Sequence, residues 1–246
     1  MKIMVYIMIF LLIIITGICG FFLARPLLYS PKEKAKILMF GRSTMELWFK
    51  HWNWPYPLRL KMTYRPWPIP YRKYSHGKLF LEYQRLEGPR IKDLPVSFGE
   101  NMLRSFESGL KSGMHEAAFF KFCFVDFPVQ DDEWQTRFEG LKNTIVIAHQ
   151  MTAERKMKLI IGNALPLLKP SESTLRLQIA YNQWLHEFAA DHTDVFVFDF
   201  FNILSNENGR LKKELARADD DDHPNDLAFY ILDEEFFKRV SDWLFR

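Results

Sequence analysis

Lys36-Ile37-Leu38-Met39-Phe40-Gly41-Arg42-Ser43 is the stretch on which the reading of this chain turns. Its uninterrupted apolar run predicts a buried strand from about Lys36 to Phe40. Gly41 permits a tight turn, and Ser43 opens a helix. A serine placed there stands at the C-terminal edge of a parallel sheet, where such folds bind ligands, with helix N–H groups aimed at it. Taken alone, Ser43 could equally be a helix cap.

A partner lies far downstream, in Asp219-Asp220-Asp221-Asp222-His223-Pro224-Asn225, just before an amphipathic segment from Asp226 to Phe245. A serine hydroxyl attacks carbonyls poorly unless a base takes its proton, and His223 has the right chemistry for that task. The base must itself be held in one tautomer by an acceptor. Spacing alone assigns Asp220, three residues before the histidine, with Asp221 and Asp219 as substitutes. Four consecutive aspartates also describe a solvated loop, and they converge poorly on a hard cation. No metal or other cofactor is assigned.

Between these ends, strands alternate with helices. Leu94 to Gly99 reads as a second strand ending in a turn, followed by a helix from Asn101 to Leu110. Ala117 to Phe127 reads as a third strand, Asp131 to Lys156 as a helix, and Lys158 to Ala164 as a fourth strand. A helix over Pro170 to Ala190, capped by Ser171 or Ser173, leads to a last strand over Val195 to Phe198. Strands that are nearly all apolar imply a parallel sheet covered on both faces. The expectation is an α/β fold: a three-layer αβα sandwich on a five-stranded, flavodoxin-like parallel sheet.

An early Gly-x-Ser after the first strand and a late Asp-x-x-His-Pro before the last helix resemble the SGNH (GDSL-like) hydrolase superfamily, over roughly residues 36–246. The resemblance implies ester cleavage with Ser43, His223 and Asp220 as the catalytic residues. It also implies three oxyanion donors: the nucleophile's own N–H, a glycine after the second strand, and an asparagine after the third. Ser43 and Gly99 match the first two. In Cys123-Phe124-Val125-Asp126, however, Val125 stands where the asparagine belongs, and Arg42 replaces the aspartate that usually precedes the nucleophile. Asn163, at the end of the next strand, and Asn101 are candidate replacements for the missing donor, while Asp126 is a candidate to hold a nearby loop or the substrate. His149 falls on a helix and reads as structural.

Two stretches fall outside that frame. Met4 to Ala24 is apolar and free of charge, and at roughly 20 residues it is long enough to span a bilayer. A signal anchor over residues 1–25 with a linker over 26–35 is expected, since no small-x-small cleavage site is clear and Ile18 precedes Cys19 where a lipoprotein has a small residue. The enzyme domain is then expected outside the cytoplasm, although lysines and an arginine after the span pull the other way. Residues 48–94 mix prolines with aromatic and basic side chains and read as an insertion beside the site. It could be a sugar-stacking wall, a lipid-facing surface, or a loop packed on the core.

Composition adds little. The net charge of +3 is too small to suggest nucleic acid, and two cysteines, one of them in the apolar run, offer no disulfide within the domain. The expected activity is that of a membrane-anchored serine esterase removing O-acyl groups, acetyl above all, from a carbohydrate or cell-envelope glycan. An acyltransferase, a lipid esterase and a catalytically silent binding protein are the alternatives.

Overall fold

A computed structural model describes residues 34–53, 73–86, 99–111 and 114–246. Ala35–Arg246 forms one compact unit. The expected anchor, the linker up to residue 33, the second strand over Leu94 to Phe98 and most of the Pro-rich stretch lie outside the described residues, and Ala35, expected in the linker, begins the first strand. No helix among the described residues is long and apolar enough to cross a membrane.

The first strand, β1 (Ala35–Gly41), runs into α1 (Ser43–Asn53) through the expected turn. A side chain at Gly41 would collide with Met45, so only glycine lets helix and strand approach this closely. On α1, Met45, Trp48, Phe49 and Trp52 recur at helical spacing and face the sheet. A hairpin follows, β2 (Lys73–His76) and β3 (Leu79–Arg85), and then α2 (Glu100–Leu110) and β4 (Ala117–Lys121). The rest is α3 (Trp134–Ala153), β5 (Lys158–Gly162), α4 (Glu172–Ala190), β6 (Val195–Phe198), α5 (Phe200–Leu204), the hairpin β7 (Ala216–Ala218) and β8 (Asp221–Pro224), and α6 (Asp226–Leu244).

The main sheet has six strands in the order β2-β3-β1-β4-β5-β6, one more than expected. Five are parallel and have the flavodoxin-like order, while β2 adds an antiparallel edge. The second strand of the parallel set is β3, drawn from within the stretch read as an insertion. Its sequence, Leu79-Phe80-Leu81-Glu82-Tyr83-Gln84-Arg85, buries Leu79, Leu81 and Tyr83 in strict alternation. Pro70 precedes the hairpin and Pro89 follows it, so no proline falls within the strand.

Alternation along β1 divides the core in two. Ile37 and Met39 face α1 and α6, whereas Leu38 and Phe40 face α2, α3 and α4. Trp48, buried completely, packs among Phe198, Phe200, Phe229 and Phe236 on the first face. Trp52 and Tyr74, two aromatics of the 48–94 stretch, stack at 4.9 Å and pack against Phe237 of α6. For Trp48, Trp52 and Tyr74, packing onto the core is therefore the reading that holds; Trp54, Tyr56, Tyr64, Trp67 and Tyr71 lie outside the described residues.

Candidate active site

Parallel register sets where the chemistry sits. Gly41 pairs with Arg85, Phe40 with Phe120, Lys121 with Gly162 and Gly162 with Phe198, so these strands end together at one edge. Ser43, the turn after β4, Asn163 and Asp199 follow directly from those ends.

His223 reaches this edge from the β7–β8 hairpin. Asn225 fixes the hairpin, because its side-chain amide donates to the carbonyls of Glu214 (2.7 Å) and Ala216 (3.1 Å) while its oxygen caps α6 at the Ala228 N–H (3.0 Å). Sequence reasoning passed over Asn225, although an asparagine just before an amphipathic helix is a cap signal. Held this way, His223 Nε2 lies 3.0 Å from Ser43 Oγ, and its ring is largely buried. The early serine and the late histidine meet.

The carboxylate on the other ring nitrogen belongs to Asp221, not Asp220. Asp221 Oδ1 lies 2.5 Å from His223 Nδ1 and also accepts the His223 backbone N–H at 3.0 Å. The reason is backbone form: residues 221 to 224 are a strand, so positions two apart share a face, and a three-residue spacing would need a helical turn. Asp220 is exposed in the hairpin turn, Asp219 pairs with exposed Lys213 at 3.2 Å, and Asp222 accepts the Leu168 N–H at 2.7 Å. Burial would raise the Asp221 pKa, but the His223 hydrogen bonds and charge, with the charge of Arg217, bring it below the usual carboxylate value. The carboxylate is thus ionised, His223 Nδ1–H donates to it, and Nε2 is left to accept the Ser43 proton.

Ser43 opens α1, so its N–H is one of the free donors of the helix N-terminus. Gly99 is the N-cap of α2, at φ 93°, where a side chain would be strained and would strike Thr144. Asn163, the candidate replacement donor, is engaged within the fold. It is 1% exposed, its amide donates to Asp199 Oδ1 at 2.7 Å, and its oxygen accepts the Phe201 N–H at 3.0 Å, so it ties β5 to the β6–α5 turn. Asn101 accepts from Arg104 within α2, and His149 bonds Asp194 at 2.9 Å.

The third strand ends earlier than expected, at Lys121, and Phe124–Asp126 forms a single 3-10 turn. Val125 is 40% exposed and offers no hydrogen bond from its side chain. Two neighbours that sequence reasoning did not place at the site come from this turn. Cys123 Sγ lies 3.6 Å from Ser43 Oγ, and the Phe124 ring meets the His223 ring edge-on at 4.7 Å. Beneath them, Arg42 forms an ion pair with fully buried Asp126. Burial opposes the Arg42 charge, yet the charge and hydrogen bond of Asp126 raise its pKa. Lys121 is buried too, its Nζ donating to the Phe122 carbonyl at 2.7 Å and lying 5.1 Å from the Phe200 ring centre. Among the described residues, no group of three or more His, Cys, Asp or Glu side chains is placed to hold a metal ion.

No protein-family model matches the chain, and no curated protein matches it in sequence. Solved structures do. A GDSL-like lipase from Bacteroides thetaiotaomicron superposes with a TM-score of 0.59 at 12% identity, covering 87% of this chain and 91% of that one. A member of the lipolytic protein G-D-S-L family from Veillonella parvula gives 0.52 at 15% identity, over 83% and 97%. The fold is that of the GDSL-like hydrolases. At these identities the likeness speaks for architecture, and what the site does rests on its own geometry.

Proposed function

We propose that this chain is a serine hydrolase of ester bonds. The observation that carries the reading is the 3.0 Å contact between Ser43 Oγ and His223 Nε2, residues 180 positions apart that nothing but the fold brings together. Ser43 Oγ attacks the ester carbonyl as its proton passes to His223 Nε2, and Asp221 holds the resulting imidazolium in place. The tetrahedral intermediate places negative charge on the former carbonyl oxygen, and the N–H groups of Ser43 and Gly99 supply donors, each worth about 3 kcal/mol in such sites. Collapse expels the alcohol, which takes the proton from His223. Water then attacks the acyl-serine with His223 again as base, releasing the acid and restoring the Ser43 hydroxyl.

The substrate class we propose is an O-acylated carbohydrate, acetyl above all, with the protein held at a membrane and the enzyme domain outside the cytoplasm. Support for the membrane part is the charge-free run from Met4 to Ala24. Support for the sugar is the combination of aromatic and basic side chains over residues 54–72, because flat rings stack on pyranose faces. Acetate release from acetylated oligosaccharides tests this directly. Turnover by the wild type that falls by about a hundredfold or more in His223→Ala supports the reading. Turnover of lipid esters alone would move the substrate to the bilayer, and acetate that appears only on an added sugar acceptor would make the protein an acyltransferase.

A further inference from the structure

The residue before the nucleophile is an arginine, and what it does follows from its partner. The Arg42 guanidinium is paired with Asp126, whose side chain is 1% exposed. The second Asp126 oxygen accepts the Cys123 N–H at 2.7 Å, which closes the turn after β4. That turn carries the two side chains that touch the relay: Cys123 beside Ser43 Oγ and Phe124 against the His223 ring. One ion pair therefore joins the start of α1 to a turn in contact with both nucleophile and base.

A buried ion pair is weak grounds for stability, because the cost of taking two charges out of water offsets their attraction, and apolar pairs of the same volume often serve as well. What such a pair does provide is fixed geometry, through a planar guanidinium that accepts only certain carboxylate positions. We propose that Arg42 and Asp126 are positioning residues, which hold the Cys123–Asp126 turn so that Ser43 and His223 stay within hydrogen-bonding distance. The inference rests on the hydrolase reading above. It also accounts for a departure from the sequence pattern of this fold, since Arg42 stands in place of an aspartate and gains its function from Asp126 across the sheet edge.

The test is steady-state hydrolysis of p-nitrophenyl acetate by the full chain, with thermal melting alongside. Asp126→Asn keeps an acceptor for the Cys123 N–H and removes the charge. The double variant Arg42→Met with Asp126→Asn removes both charges and so avoids an unpaired buried arginine. The expected result is a kcat lowered about tenfold or more in both, with KM within about twofold and the double variant melting close to the wild type, as small displacements of reacting groups cost rate rather than binding. Arg42→Lys should keep more activity than Arg42→Met. Folded variants with wild-type kcat overturn the inference, as does a loss that merely tracks the unfolded fraction. A wild type that fails to hydrolyse the ester overturns the hydrolase reading itself, an outcome distinct from normal variants of an active enzyme.

Discussion

Lys121→Met should stabilise this protein near neutral pH and cease to do so in alkali. Lys121 is fully buried at the end of β4, and burial, its largest influence, lowers its pKa from 10.5 to about 8 against the opposing charges of Cys123 and Asp126 and with the help of Arg42. At about 1.4 kcal/mol for each tenfold change in proton affinity, that depression corresponds to roughly 3 kcal/mol. The sign follows from which state holds the proton. At pH 7 both folded and unfolded chains carry the charged lysine, and the folded one bears its desolvation. Between pH 8 and 10.5 the folded lysine is neutral while the unfolded one remains protonated, so wild-type stability rises with pH through that window. Methionine removes the charge and also the bond to the Phe122 carbonyl, which costs about 1 kcal/mol. The variant should therefore gain about 2 kcal/mol at pH 7, roughly 4–8 °C in melting temperature for a chain of this size, and lose the advantage by pH 10.5. Urea denaturation of both proteins at several pH values, followed by tryptophan fluorescence, measures the difference. A variant less stable at pH 7, or a difference that does not change between pH 7 and 10.5, would refute the reasoning.

Other expectations concern the site. Asp221→Asn should lower ester hydrolysis by about a hundredfold or more, whereas Asp220→Asn, altering an exposed turn, should leave it within about twofold; kinetics on one ester compares them. Because the Asp221 pKa is lowered in the folded protein, its contribution to stability is present above the ordinary carboxylate range and disappears as pH falls through the folded value, so Asp221→Asn should flatten part of the acid limb of a melting curve series. Gly99→Ala should destabilise by about 1 kcal/mol or more, from the left-handed backbone and the contact with Thr144, as read by chemical denaturation. Asn163→Ala should cost about 1–3 kcal/mol of stability, by leaving the Phe201 N–H and Asp199 short of partners, with kcat of the folded fraction little changed. A large kcat loss in a stable Asn163→Ala protein would return that residue to the oxyanion role.

The sequence made the strand-to-helix turn at Gly41 and the distant histidine legible because each depends on local chemistry: an apolar run, a residue without a side chain, a base with an acid nearby. The acid itself was misplaced by one position. A three-residue spacing presumes a helical turn, and only the backbone of β8 shows that Asp221 and His223 share a face. Strand β3 was hidden by its surroundings, since prolines on one side of Lys73 masked the alternation of Leu79, Leu81 and Tyr83. Asn163 looked like a donor from its place at the end of β5, but its availability depends on Asp199 and Phe201, which follow another strand. The Arg42–Asp126 pair joins positions 84 apart, beyond what spacing along a chain can reveal.

Reaction with a fluorophosphonate, read by intact mass and peptide mapping, tests the central claim most directly. A single phosphonyl adduct on Ser43, absent from Ser43→Ala and formed far more slowly in His223→Ala, is the predicted result, because His223 must take the hydroxyl proton as the bond forms. A folded wild-type protein left unmodified, or modified at the same rate with His223 removed, would contradict it.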